Sequence, residues 1–198
     1  FSDDNEVSVL LRPINMYGYS KQLFDLWVLR NNLQQSIAGI KFFNVFGPNE
    51  YHKGDMRSVI HKAHGQIQDG GKVALFKSYQ SAYEDGGQMR DFIYVKDCVD
   101  LLWWLLGHDE VAGIFNLGTG KARSWNDLVR AVFDAMNRSP VIDYIDMPDS
   151  IRGQYQYFTE ASMDKLRTAG YGASFTGLEE AVADYVVNYL EGGERCLA

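Results

Sequence analysis

Tyr17 and Lys21 form the residue pair best suited to proton transfer. They lie four positions apart at the start of a segment with helical apolar spacing, so their side chains share one helix face. An ammonium beside a phenol favours the phenolate and lowers the phenol's pKa from about 10 towards neutrality, which makes the tyrosine a general acid or base. An ordinary pair of surface side chains on a helix has the same spacing, so the pattern alone leaves both interpretations open.

Lys53 is a candidate proton donor or anion-binding residue. It follows a predicted strand that ends at Gly47-Pro48, and loops after the carboxyl ends of strands bind ligands in open α/β sheets. An exposed loop lysine without a function is the common alternative. Arg90 precedes another predicted strand, where its guanidinium can bind a diphosphate with two hydrogen bonds or form an ion pair with a neighbouring aspartate.

Other motifs give weaker signals. Gly118-Thr119-Gly120 lies between a strand and a helix but lacks the third glycine of a dinucleotide-binding turn, so we interpret it as a tight turn. His61 and His64 share a helix face near Asp55, but their spacing fixes no third ligand, and we predict no metal site. The sequence has no nucleophile elbow, phosphate loop or zinc-protease helix, which disfavours hydrolases and leaves an oxidoreductase or an isomerase.

The elements that position these residues alternate between helices and strands. Strands separated by helices favour an α/β fold with a mainly parallel sheet. Ser124 with Asp127, and Thr176 with Glu179, predict capping boxes at the starts of two helices. Apolar spacing and glycine or proline punctuation predict helices over 16–32, 56–68, 96–106, 124–137, 160–168 and 176–190, strands over 40–46, 73–76, 92–95, 114–117 and 141–145, an extended segment over 155–158, and a loop over 77–89.

Composition excludes several classes of protein. The 198 residues are 46% hydrophobic, which is enough for one sizeable core, and the formal charge of −7 disfavours a nucleic-acid partner. Cys98 and Cys196 are far apart and show no metal-ligand spacing, which favours a reducing compartment. The longest apolar run, 101–106, is far shorter than the roughly 20 residues of a membrane span, and no secretory leader opens the chain. We therefore expect a cytoplasmic protein with no membrane partner.

Several motifs together resemble the later half of an extended short-chain dehydrogenase/reductase. These are Tyr17-Gly-Tyr-Ser-Lys21, Phe43-Asn-Val-Phe-Gly-Pro48, Arg90-Asp-Phe-Ile-Tyr-Val-Lys-Asp97 and Phe115-Asn-Leu-Gly-Thr-Gly120. Within that family, Glu50-Tyr-His-Lys-Gly54 and Gly153-Gln-Tyr-Gln-Tyr-Phe-Thr159 resemble the ADP-L-glycero-D-manno-heptose 6-epimerases. The resemblance runs from about 14 to 190. It implies the C-terminal part of a Rossmann-like, doubly wound parallel sheet with a smaller α/β substrate-binding domain.

The resemblance also implies a reaction and roles for residues. It implies an NADP-dependent isomerase that oxidises and re-reduces position six of ADP-heptose, a precursor of the lipopolysaccharide inner core. In the family pattern Tyr17 and Lys53 are the two acid/base residues, and Lys21 binds the cofactor ribose and tunes Tyr17. Val45 and Lys53 match cofactor contacts. Substrate contacts are implied at Asn44, Asp55, Lys62, Phe76, Lys77, Ser78, Arg90 and Tyr155, of which Asp55 and Lys62 replace residues common in the family.

Domain organisation follows from the same resemblance. It implies an NADP-binding domain built from 1–48 and 90–120, to which 153–169 returns, and a substrate-binding domain built from 49–89, 121–152 and 170–198. A glycine-rich turn that holds the cofactor pyrophosphate is not in the sequence, and we expect it before Phe1 in a longer polypeptide. The family also implies a homo-oligomer, a pentamer. Another nucleotide-sugar epimerase or dehydratase of the extended family, and a cofactor-free sugar-nucleotide-binding fragment, stay open as alternatives.

Overall fold

The computed structural model describes residues 2–193, apart from the side chains of 6–8. Cys196, one of the two cysteines, lies outside the described residues. Helices and strands alternate along most of the chain, as the sequence predicts. The helices are α1 (Asn5–Leu10), α2 (Met16–Arg30), α3 (Val59–Gly70), α4 (Val95–Leu106), α5 (Trp125–Ala135), α6 (Asp149–Arg152), α7 (Asp164–Thr168) and α8 (Leu178–Tyr185). The strands are β1 (Ala38–Phe42), β2 (Asn44–Phe46), β3 (Val73–Phe76), β4 (Met89–Tyr94), β5 (Gly113–Leu117), β6 (Ala122–Ser124) and β7 (Ile142–Ile145).

Parallel pairing dominates the described strands. β1 pairs with β5, β2 with β4 and β3 with β7, all in parallel, while β6 runs antiparallel to β4. The register places Asn44 of β2 opposite Phe92 and Phe46 opposite Tyr94. Parallel strands need crossover connections, and here helices supply them. This confirms the predicted α/β class with mainly parallel sheets.

The predicted strand over 40–46 is two strands in the structure. β1 pairs with β5, and the backbone N–H of Phe43 still donates to the carbonyl of Leu117 over 2.9 Å. The next residues leave this partner, and β2 pairs with β4 instead. The continuous apolar run therefore contains a change of partner strand, which apolar spacing does not reveal because both halves are extended.

Two apolar cores hold these elements together. One lies among α3, α5, α8 and strands β2 to β4, and its centre includes Ile67, Phe133 and Tyr185, none of them exposed to solvent. The other lies between α4 and β5, with Leu101 and Leu117 fully buried. Fully burying a large apolar side chain contributes about 1.5 to 3 kcal/mol, so these cores fix the positions of the strand ends. The division into two domains stays a prediction.

Helix starts give one confirmed and one wrong prediction. At α5 the Oγ of Ser124 accepts from the N–H of Asp127 and the Asp127 carboxylate accepts from the N–H of Ser124, which is the predicted capping box. The second capping box is wrong, because α8 begins at Leu178 after Gly177. The Thr176 hydroxyl donates instead to the buried carboxylate of Asp97 over 2.7 Å.

Several short elements also differ from the prediction. The helix predicted over 160–168 is limited to α7, because the N–H of Ala161 donates to the Asp91 carboxylate instead of entering a helix. Apolar spacing does not predict α1, α6 and β6, each of which has six residues or fewer. Among the described residues, no helix is long and apolar enough to cross a bilayer.

Candidate active site

A cavity of about 260 Å³ lies beside β2 and the segment that follows it. Asn44 and Val45 of β2 line one part of the cavity, and Lys53 lines another. Trp125, the first residue of α5, also contributes to the wall. Three residues implied as site residues by the family resemblance therefore share one cavity. Lys53 lies after the carboxyl end of β2, where open α/β sheets bind ligands.

Lys53 lies on a short 3₁₀ segment, Tyr51–Met56, which we call the lysine turn. Its backbone N–H donates to the carbonyl of Glu50 over 3.0 Å, and its side chain is exposed. Gly54 has φ 54° and ψ −126°, a conformation that a side chain would strain, although no atom lies within 4 Å of the place of its missing Cβ. Glycine is therefore needed here for the backbone bend that follows Lys53, and not for space.

Tyr17 and Lys21 share the first turns of α2, as predicted. The ammonium of Lys21 lies 5.1 Å from the centre of the Tyr17 ring. The Asn15 side chain accepts a hydrogen bond from the N–H of Gly18 and so fixes the start of this helix. Tyr17 is 74% exposed. The pair is thus formed and accessible on the surface of the described chain, and Tyr17 is outside the walls of the cavity.

Arg90 is a buried cation in an aromatic environment. Its guanidinium carbon lies 5.2 Å from the ring centre of Tyr155 and 5.9 Å from that of Trp125. Its hydrogen bonds reach the backbone carbonyls of Met89 and Gln156. Burial lowers the pKa of Arg90, and the nearby Tyr155 opposes this shift.

The sequence also allowed an ion pair between Arg90 and a neighbouring aspartate. This ion pair is not formed in the described structure. The carboxylate of Asp91 accepts hydrogen bonds from the N–H groups of Thr119, Gly120 and Ala161 instead. These bonds also explain Gly118-Thr119-Gly120. The amides of Thr119 and Gly120 donate to the Asp91 carboxylate, and a Cβ at Gly118 would lie 2.5 Å from an oxygen of Asp91. The segment connects β5 to β6, so the predicted connection from a strand to a helix is interrupted by a short strand.

Tyr155 connects Arg90 to the cavity wall. The indole N–H of Trp125 donates to its hydroxyl over 3.1 Å, and Phe76 meets its ring edge to face at 6.3 Å between centres. Burial raises the pKa of Tyr155, while the positive charge of Arg90 acts in the opposite direction. The structure therefore brings Phe76, Arg90 and Tyr155 together, next to a residue that lines the cavity.

The other implied substrate contacts lie apart from the cavity walls. Asp55 and Lys62 are exposed. The Lys77 ammonium pairs with Asp146 over 3.1 Å, and the Ser78 N–H donates to Asp85 over 2.7 Å. These partners within the chain position the start of the 77–88 loop. Contacts between these four residues and a substrate stay a prediction.

Among the cavity-lining residues that sequence reasoning did not single out are Glu50, Arg57 and Trp125. Glu50 belongs to the Glu50-Tyr-His-Lys-Gly54 segment that resembles the heptose epimerases. The sequence analysis assigned a role in that segment to Lys53 and none to Glu50. Arg57 and Trp125 had no such signal, because their positions depend on how α3 and α5 start beside β2. Within the described residues, His, Cys, Asp and Glu form no group of three or more that could hold a metal ion.

The curated relatives of the chain include ADP-L-glycero-D-manno-heptose-6-epimerases. The chain is 63% identical over 197 residues to the ADP-L-glycero-D-manno-heptose-6-epimerase of Nitratidesulfovibrio vulgaris strain DP4, covering 100% of this chain and 61% of that protein. It is 48% identical over 187 residues to the enzyme of the same name from Fusobacterium nucleatum, covering 91% of this chain and 56% of that protein. The chain thus spans about three-fifths of the length of these curated relatives.

Solved structures share the fold. The ADP-L-glycero-D-manno-heptose-6-epimerase of Helicobacter pylori superposes with a TM-score of 0.71 at 25% identity, over 89% of this chain and 52% of that chain. The UDP-glucose 4-epimerase of Thermus thermophilus, in complex with NAD, gives 0.72 at 22% identity over 92% and 56%. The family model of the NAD dependent epimerase/dehydratase family matches residues 2–118. The chain therefore belongs to the NAD dependent epimerase/dehydratase family.

Proposed function

We propose that this chain is the catalytic and substrate-binding part of an enzyme that converts ADP-D-glycero-D-manno-heptose to ADP-L-glycero-D-manno-heptose. The observation that carries the proposal is the cavity in which Lys53 meets Asn44 and Val45. A lysine that lines a cavity can reach a molecule bound there, whereas an ordinary loop lysine only faces solvent. The names of the relatives at 63% and 48% identity support the choice of substrate.

The proposed cofactor is NADP, and the residues present fit its nicotinamide end. Tyr17 and Lys21 are formed as an exposed pair on α2, and Val45 lines the cavity. Lys21 would hold the hydroxyl groups of the ribose, and Val45 would contact the nicotinamide. When bound, the cofactor supplies a reversible hydride acceptor for position six of the heptose.

Inversion of position six requires that hydride leave one face of the carbon and return to the other, so its oxygen needs a proton-transfer group in each of two orientations of the sugar, and the chain offers one candidate for each. Tyr17 takes the proton of the position-six hydroxyl or returns it on one face, with the Lys21 ammonium beside its ring. Lys53 does the same on the other face. The two side chains belong to different elements, α2 and the lysine turn, which supports separate roles.

Arg90 and Tyr155 are proposed to hold the ADP group. A guanidinium has five N–H donors, and two backbone carbonyls leave donors for phosphate oxygens. A buried cation is costly without a counter-charge, and a diphosphate would supply one. Phe76 and Tyr155 offer aromatic surface beside it for the adenosine.

A nucleotide-sugar 4-epimerase or dehydratase is the second candidate, because the Thermus thermophilus 4-epimerase shares the fold as closely as the heptose epimerase does. Turnover of purified full-length protein with ADP-D-glycero-D-manno-heptose and with UDP-glucose separates the two. We expect the heptose to be epimerised at position six and UDP-glucose to be left unchanged. The reverse result would replace the proposed function with the second candidate.

The proposal includes a homo-pentamer and a role in lipopolysaccharide inner-core precursor synthesis, and light scattering of the full-length protein tests the oligomer.

A further inference from the structure

We propose that Glu50 is a positioning residue that holds the lysine turn at the cavity, so that Lys53 is presented in one place. The inference rests on the proposed function, because it concerns the acid/base role of Lys53. Glu50 also lines the cavity, and the role inferred for it is the positioning of Lys53 rather than proton transfer to the substrate. It acts through the backbone that carries the lysine.

The carboxylate of Glu50 is buried and has three described hydrogen-bond donors. It accepts from the N–H of Ser58 over 2.7 Å, from the Ser58 hydroxyl over 2.5 Å and from the Tyr185 hydroxyl over 2.8 Å. Glu50 is 5% exposed. An ionised carboxylate only accepts hydrogen bonds, and burying one without donors is costly. The three donors therefore compensate for its burial and fix where it lies.

These bonds close the base of the lysine turn. Glu50 and Ser58 flank the segment Tyr51–Met56, so the bond between their side chains ties its two ends together. Two further hydrogen bonds hold the lysine turn. The carbonyl of Glu50 accepts from the N–H of Lys53, and the guanidinium of Arg57 donates to the carbonyl of Tyr51. Main-chain and side-chain bonds thus fix the backbone on both sides of Lys53.

Tyr185 connects this closed turn to the rigid core. It is fully buried on α8, within the apolar cluster that joins α3, α5 and α8. Ser58 belongs to the same framework, since its Oγ accepts from the N–H of His61 and caps α3. The turn is therefore held against two helices through a single carboxylate. The lysine turn is interrupted at Gly54, whose φ and ψ are not helical, and such short helical pieces have little stability of their own, which makes this external support necessary.

Fixed geometry matters for proton transfer because a misplacement of about 1 Å can cost about 100-fold in rate. Replacement of the Glu50 carboxylate by an amide should therefore lower kcat. Affinity for ADP-heptose should be retained, because Arg90 and Tyr155 lie on other elements. A purely structural carboxylate would not produce this split between turnover and binding.

The experiment compares Glu50→Gln with Asp97→Asn in the full-length enzyme. Asp97 is a matched control, since it is 6% exposed and also accepts from a backbone N–H and a hydroxyl, both of Thr176. We expect Glu50→Gln to lower kcat about tenfold or more with the calorimetric Kd for ADP-heptose within about twofold. Amide hydrogen exchange in 51–56 should become faster in Glu50→Gln and stay unchanged in Asp97→Asn.

Tyr185→Phe and Ser58→Ala each remove one hydroxyl that donates to Glu50 and keep the carboxylate. They test the positioning role if Glu50→Gln does not fold. We expect faster exchange in 51–56 and a smaller fall in kcat for both. Unchanged exchange in 51–56, or equal kcat losses in Glu50→Gln and Asp97→Asn, would overturn the proposal. Absence of heptose turnover in the wild type would instead refute the proposed function, while hydrogen exchange would still report whether Glu50 holds the turn.

Discussion

The guanidinium of Arg90 lies over the ring of Tyr155, 5.2 Å from its centre, and both side chains adjoin Trp125 in the cavity wall. This relationship places a buried positive charge next to aromatic surface, beside the cavity that holds Lys53. A nucleotide diphosphate presents negative charge next to an aromatic base. The arrangement is therefore complementary to the ADP group of the proposed substrate.

Arg90→Ala should weaken binding of ADP-heptose to the full-length protein by about 1.5 to 3 kcal/mol, the range for hydrogen bonds to charged groups. Arg90→Lys should lose less, since it keeps the charge but not the planar fork. Isothermal titration calorimetry measures both. Arg138→Ala is the control. Arg138 donates to the carbonyl of Ile67 near the C-terminal end of α3, whereas the lysine turn precedes the N-terminal end of that helix. Equal affinities of wild type and Arg90→Ala would remove Arg90 from the site.

Part of this site was predictable from residue types and spacing. The i, i+4 spacing of Tyr17 and Lys21 is sufficient to place them together, and the structure confirms that contact. The capping box at Ser124 is equally local, and so is β3, whose bounds match the prediction. Local hydrogen bonds and periodicity decide these features, so the sequence contains the necessary information.

The features that sequence reasoning missed depend on distant partners. The change of partner strand at Phe43 and the bond from Thr176 to Asp97 each involve a choice between local and long-range bonding. The hydrogen bonding of Glu50 also depends on a distant partner, since Tyr185, one of its donors, is 135 positions away along the chain. Hydrophobic spacing does not report which distant group satisfies a buried carboxylate, and only the assembled fold shows it.

Cys98 should make the stability of the protein fall at alkaline pH. Burial raises the pKa of its thiol to about 12, above the value of about 8.5 in an unfolded chain. The folded state keeps this proton while the unfolded state loses it, so the contribution is full below about pH 8.5 and is lost as pH rises towards 12. Between about pH 8 and about pH 10.5 the loss is on the order of 2 kcal/mol.

Urea unfolding of wild type and Cys98→Ala at both pH values measures this contribution. The difference in unfolding free energy between the two proteins should shrink at the higher pH, because alanine does not titrate. Val99→Ala is the control and should show the wild-type pH dependence, since Val99 is an exposed, non-titrating neighbour on α4. A constant difference between wild type and Cys98→Ala would mean that the thiol is accessible to ionisation in the fold.

The 198-residue chain by itself should bind NADP weakly or not at all, because its sequence lacks a glycine-rich pyrophosphate turn. Equilibrium dialysis of this chain and of the full-length protein, side by side, measures the difference. Tight, stoichiometric NADP on the 198-residue chain would show that these residues hold the cofactor without such a turn. That outcome would also remove the family-based assignment of 1–48 and 90–120 to an incomplete cofactor domain.

Tyr17→Phe should abolish epimerisation in the full-length protein while leaving affinity for ADP-heptose nearly unchanged. Phenylalanine keeps the ring next to Lys21 and removes only the proton carrier. Tyr19→Phe is the control, since Tyr19 is an exposed tyrosine in the same turn of α2. Comparable rates for the two variants would show that the Tyr17 hydroxyl has no special role.

The most direct test of two separate acid/base residues is the epimerisation rate of full-length Lys53→Met with ADP-heptose, measured together with its calorimetric Kd. We expect loss of epimerisation with substrate affinity retained, because in the proposed mechanism Lys53 serves one face of position six while Arg90 and Tyr155 hold the nucleotide. Lys72→Met provides the comparison, because Lys72 is an exposed lysine outside the cavity walls that pairs with Asp143 on the surface. Epimerisation by Lys53→Met at a rate near that of the wild type would contradict the two-residue mechanism and return Lys53 to an ordinary loop lysine.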